Sequence, residues 1–278
     1  MRPTSTIETL QTRLGTLGTG TARWLRGWWD IVFFGAQALV MSLSPSSYRS
    51  HTARIVARHI YQSIGSILPW YSVLTALISL IMTRIVVVTA LSYGLSQYAL
   101  EMVVRVLVLE LLPISAALFV AVRYMAPVSA DIATLQRESR LPSWRHDQIV
   151  LRDELMPRVL AGVVSVLTLT AVSAVTALLI AYLVAYGLSP WGFEAYTRMV
   201  GRVFAPAIAL GFAVKTLLFS LAVGVIPVAA GLLNEPLLNP NPSPSTAQSR
   251  PGRGQSGLVR LFLVIFMVEA ATLAIKYF

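Results

Sequence analysis

The chain alternates long apolar runs with short polar connections, and the period of that alternation is set by whole membrane-spanning helices. Four runs, about 64–90, 102–126, 159–186 and 203–233, reach the roughly 20 apolar residues that a spanning helix needs. A fifth, 258–276, is slightly shorter but adequate. The pattern therefore predicts five transmembrane helices. Before them, "RWLRGWWDIVFFGAQALVMSL" (Arg23–Leu43) reads as an amphipathic helix on the membrane surface, with a sixth span as the alternative. Arginines flank it on both sides, Arg26 and Asp30 are spaced to pair at i,i+4, and Trp24, Trp28 and Trp29 suit the headgroup boundary. The next stretch, "YRSHTARIVARHIYQSIGS", reads as a second surface helix leading into the first span.

These elements divide the chain into a flexible tail (1–21), interfacial helices (22–60), helices one and two (61–126), a polar segment (127–157), helices three and four (158–233), a disordered Pro- and Ser-rich loop (234–257) and a last helix (258–278). The fold class expected is an all-α integral membrane protein: N-terminal interfacial amphipathic helices followed by five transmembrane helices, with a cytoplasmic coupling segment between the second and third. The 127–157 segment mixes both charge signs with apolar anchors at Ile132, Leu135, Leu141, Trp144 and Ile149, which favours short docking helices over a plain solvated loop.

Composition agrees with the pattern. Hydrophobic residues make up 56% of the chain, charged residues only 12%, and the mean hydropathy is +0.70, against about a quarter charged in soluble domains. The net charge of +10 is nearly all arginine, and 15 of the 22 basic residues lie in 1–60, 126–158 and 234–260. The positive-inside rule places those regions in the cytoplasm and the C-terminus outside. Division of the arginines among loops argues against nucleic acid as a partner. Without cysteine, disulfides and thiolate metal sites are excluded. The Thr-rich N-terminus has no apolar core of a cleaved signal peptide; a transit peptide is the alternative. His51 and His59 read as headgroup-facing side chains, with a metal pair as the alternative.

Catalytic patterns are missing. "GTLGTGTAR" resembles a phosphate loop superficially, but it has no GK[ST] and no preceding strand. Asp153 and Glu154 are adjacent and so point to different helix faces. What remains are charges inside the spans: Arg84, Arg105, Glu110, Arg123, Lys215 and Glu269. Such groups cost about 2.5 kcal/mol or more near the bilayer centre and face a bundle interior or a wet cavity. Glu101 and Arg105 are spaced as a surface pair, and Arg123 sits where it can snorkel. Glu110 and Lys215 are deeper, opposite in sign and on different spans, which points to a buried ion pair or a polar spot in a cavity.

"LELLPISAALFVAVRYMAPVSADIATLQ" resembles the MlaE/YrbE permease family, the membrane subunits of bacterial lipid ABC systems that work with MCE-domain proteins. Its R-E-L-G-P and A-A-L-L-x-A-G-R-x-G-S-A-x-x-A-E-I-G pattern is kept here at Glu110, Leu111, Pro113, Ala116, Ala117, Leu118, Ala121, Arg123, Ala130 and Ile132, with Asp131 at the acidic position. Pro157, Arg158, Ala161 and Gly162 resemble the family's P-R-x-x-A-G, and Lys215, Thr216 and Phe219 its K-[ST]-x-x-F. Family glycines are replaced by Leu112, Val122, Met125 and Ala133, and the first-span motif by Thr83 and Arg84.

The resemblance implies a permease subunit in a bacterial inner membrane that pairs with a second permease subunit around a cavity for a phospholipid or similar apolar molecule. It implies a cytoplasmic ABC ATPase carrying the ATP and Mg, with no cofactor on this chain, and a periplasmic MCE-domain protein on the outer face. Glu110 and Lys215 would meet the headgroup, with Arg84 beside them and Leu80, Ile81, Ile85 and Leu111 as apolar wall. Asp131, Leu135, Arg137, Glu138 and Trp144 would couple to the ATPase. The alternative is a structural or regulatory membrane subunit that does not transport.

Overall fold

The computed structural model describes residues 25, 27–42, 44, 50–138, 148–233 and 253–277. The N-terminal tail 1–21, Arg26, Trp144 and most of the 234–257 loop lie outside the described residues. Among those described, every regular element is helical, and five helices are long and apolar enough to cross a membrane: Thr52–Ser92, Tyr98–Gln136, Leu151–Tyr186, Pro206–Leu232 and Gly257–Lys276. The protein is an all-α membrane protein.

The elements are α1 (27–42), α2 (Ser50–Ser92), α3 (96–137), α4 (148–186), α5 (Phe193–Val203), α6 (Pro206–Leu233) and α7 (Arg253–Tyr277). Ile31, Phe34 and Ala38 bury one face of α1 against the bundle, while Trp29, Val32 and Val40 on the other face are exposed. That short, two-faced helix is built to lie along the bundle at a boundary. The segment from Ser50 is one continuous helix with the first span. Likewise α3 does not stop at Ala126 but runs on to Arg137, so about a third of the polar connection expected from sequence is an extension of the second span.

How α3 and α4 pass their prolines explains much of the site. Widened π-type turns at Val104–Leu111, Ala121–Met125 and Leu151–Leu155 are each followed at the second residue by a proline: Pro113, Pro127 and Pro157. Proline has no N–H and crowds the preceding turn. Widening that turn to i+5 hydrogen bonds, as Leu112 N–H to Leu107 O shows, relieves the crowding without breaking the helix. All three widened turns carry charge: Arg105 and Glu110, Arg123, and Arg152 to Glu154.

In the packing, α2 lies along α4, α4 against α6, and α6 against both α3 and α7. Small residues allow the closest approaches. A Cβ on Gly162 of α4 would stand 3.1 Å from Gly224 Cα on α6 and 2.8 Å from Met125 Sδ; one on Gly224 would stand 2.8 Å from Val159 O. Met125, where the family pattern has glycine, has thus filled space beside a glycine that is kept. Ser63 on α2 and Ser165 on α4 join hydroxyls at 2.6 Å inside the bundle.

Two apolar cores result. One gathers Ile31, Phe34, Ile67, Met125, Ile132, Leu155, Phe219, Leu232 and Leu261. The other gathers Val104, Leu107, Leu112, Ala177, Ala181, Tyr196 and Val203. On α6 the second core ends at Phe212 and the first begins at Phe219; on α3 the change falls between Leu112 and Ile114. The break between the cores is polar.

Candidate functional site

Lys215 occupies that break. Its ammonium, on a side chain only 4% exposed, donates to Glu110 Oε2 on α3 and to Glu269 Oε1 on α7 at 2.9 Å. It also reaches Leu109 O at 3.5 Å and stands 5.9 Å from the Phe219 ring centre. Leu109 lies in the widened turn before Pro113, where the lysine adds a donor to its backbone carbonyl. The second Glu110 oxygen accepts from Lys276 Nζ of α7 at 2.7 Å. Two carboxylates and two ammoniums from three helices therefore form one electrically balanced cluster, which is the condition for holding charge at membrane depth.

The cluster is closed on one side and open on the other. Lys215 is buried, whereas Glu110, Glu269 and Lys276 keep 21%, 15% and 27% of their side chains exposed. Next along the chain from Glu110, Leu111 lines an apolar cavity of about 140 Å³ between α2 and α3, with Met82, Val86, Met102, Val103, Val106 and Leu107.

The sequence-predicted binding residues divide into two groups. Glu110 and Lys215 meet, and Leu111 adjoins them on the groove wall. Leu80, Ile81, Arg84 and Ile85 stand together on an exposed face of α2, where Arg84 makes no ion pair or hydrogen bond with described residues. Thr83, the other departure in that motif, is buried. Sequence reasoning noted Glu269 as an intramembrane charge without assigning it a partner, and it missed Lys276. Glu101 and Arg105 form the i,i+4 pair that their spacing implied, at 2.8 Å.

At the other end, one of the coupling candidates, Asp131, meets Arg158. Its guanidinium is 3.2 Å from Asp131 and 3.5 Å from Glu154, with the arginine side chain 12% exposed. The adjacent Asp153 turns instead to Thr52 on α2, at 3.0 Å, as its position one residue from Glu154 requires. Leu135 packs on the first core, Glu138 is exposed just past the end of α3, and Arg137 is the last residue of that helix. Helices α2, α3 and α4 are thereby tied by polar contacts where the arginine count expects cytoplasm.

A family model described as Permease MlaE matches residues 56–275, most of the chain. The chain belongs to the MlaE permease family. It is therefore a transporter permease subunit in type, a multi-pass membrane protein in which the charged break and the ends of α3 and α4 both lie within the matched region. Compared with curated proteins, this MlaE-family chain gives no match.

Proposed function

We propose that this permease is the transmembrane subunit of an ABC-type transporter that moves phospholipid, or a similar hydrophobic molecule, between a bacterial inner membrane and a periplasmic MCE-domain protein. A second permease subunit completes the cavity, and ATP hydrolysis takes place on a separate cytoplasmic ATPase that docks at the Asp131–Arg158 end. The single observation that carries this reading is Glu110: a part-exposed carboxylate at membrane depth, shared by two lysines, on the helix whose Leu107 and Leu111 line an apolar groove.

The self-contained pairing of Lys215 with two carboxylates favours a second reading, in which the cluster is a structural lock in a non-transporting subunit. Extraction of the native complex in mild detergent separates the two. The transport reading expects an ATPase chain and bound phospholipid to copurify, and ATP to drive lipid transfer between liposomes. A complex that hydrolyses ATP yet holds and moves no lipid leaves only the lock.

A further inference from the structure

Thirteen residues beyond Glu110, about 20 Å along α3, a second site opens on the exposed surface of the bundle. A groove of about 220 Å³ is lined by Ser66, Ile67 and Trp70 of α2 and by Phe119 and Arg123 of α3. Ile67, 2% exposed, forms its floor. Phe119 is held by the Tyr71 ring at 5.0 Å, and Tyr71 is tied back to α3 through Ser115 at 2.9 Å, so the wall is rigid. On the rim stand Trp70, 71% exposed, and the exposed Arg123.

Arg123 differs from Arg152 and Arg158 of the same end. Arg158 is matched by Asp131 and Glu154, and Arg152 by Thr52 and Asp153, but Arg123 makes no ion pair or hydrogen bond with any described residue. It also sits on the widened turn Ala121–Met125 before Pro127, and such turns recur at functional sites. An unmatched guanidinium beside an exposed indole complements a phosphodiester above and an acyl chain below. The groove is smaller than the roughly 300 Å³ of a drug-sized pocket, enough for a headgroup and not for a whole lipid.

We infer that this groove binds the phosphate of an anionic phospholipid in the leaflet at the 138–148 end, with Arg123 on the phosphate and Trp70 against the acyl chain. The site is separate from the Glu110 cluster and stands whether or not the subunit transports. It gives the protein a preference for anionic lipid at one leaflet.

The test uses the full-length protein in nanodiscs containing acyl-dibrominated phosphatidylglycerol or acyl-dibrominated phosphatidylcholine. Quenching at Trp70 is taken as the difference between wild type and W70F. Phosphatidylglycerol should quench about fivefold more strongly, the size of one arginine's attraction to an anionic surface; R123Q should abolish the excess and R123K keep part of it. Equal quenching by the two lipids means that Arg123 only snorkels to water, and overturns the site. So does an excess that survives R123Q, and so does lack of quenching by either lipid, which means that a second copy covers the face. Should R123Q fail to accumulate, the wild-type ratio and its value in R123K decide the same question.

Discussion

Lys215 on α6 reaches the backbone carbonyl of Leu109 on α3, four residues before Pro113. A proline that weakens one helix is thereby coupled to a charge carried by another, and the carboxylates of Glu110 and Glu269 converge on the same ammonium. The cluster holds α3, α6 and α7 in register.

Removing the shared cation leaves two acids facing each other. K215M is expected to destabilise the protein by about 3–5 kcal/mol, the cost of an uncompensated buried charge, read as a fall in the detergent melting temperature. The triple variant K215M/E110Q/E269Q is expected to recover most of that loss. If K215M melts with wild type, the cluster does not tie the three helices together.

The Gly162–Gly224 approach predicts a second effect. G224A would press a methyl to 2.8 Å from the Val159 carbonyl, against backbone that cannot yield, and is expected to cost about 1–3 kcal/mol. G162A meets chiefly the thioether of Met125, a flexible side chain, and is expected to cost less; M125A should reduce its cost further. Equal losses in G162A and G224A, measured by thermal melts, would contradict this packing.

Tyr196 on α5 gives a pH prediction. Its hydroxyl donates to Leu178 O at 2.7 Å, and burial, with a smaller effect of the nearby Tyr186, pushes its pKa up to about 12. Because the folded state resists ionisation, stability present below the ordinary tyrosine pKa of about 10 is lost as pH rises from there to about 12. Y196F, lacking the ionisable group, should melt about 1 kcal/mol lower at neutral pH and lose less stability between pH 10 and 12.

Arg158 ties Asp131 at the end of the second span to Glu154 before the third. If this is where the ATPase docks, R158M is expected to leave the permease inserted but to lower lipid-stimulated ATP hydrolysis by the complex roughly tenfold, one lost charge-assisted contact. Unchanged stimulation would place coupling elsewhere.

The five spans were legible because hydrocarbon demands long apolar runs, and Glu110 and Lys215 stood out because such runs rarely carry charge. Their partners were harder to read. Hydropathy fixes which residues lie in a span but not their relative depth, so nothing in the sequence placed Glu269 and Lys276 of α7 level with Glu110. The prolines were visible, whereas the widened turns before them were not, since whether a helix breaks, kinks or widens at proline depends on its neighbours. For the same reason Pro127 looked like the end of the second span, and α3 in fact continues to Arg137. Leu80, Ile81, Arg84 and Ile85 stand on one exposed face of α2, and what covers that face is a property of the assembly and not of one chain.

The central claim is that Glu110 handles cargo, and E110Q tests it most directly. This change keeps the side chain's shape and removes its charge. In proteoliposomes holding the permease with its ATPase, E110Q is expected to reduce ATP-driven phospholipid transfer about tenfold or more, one charge-assisted hydrogen bond's worth, while basal ATP hydrolysis changes little and the melting temperature falls less than in K215M. Transfer at the wild-type rate in a folded, ATP-hydrolysing E110Q complex would contradict the claim.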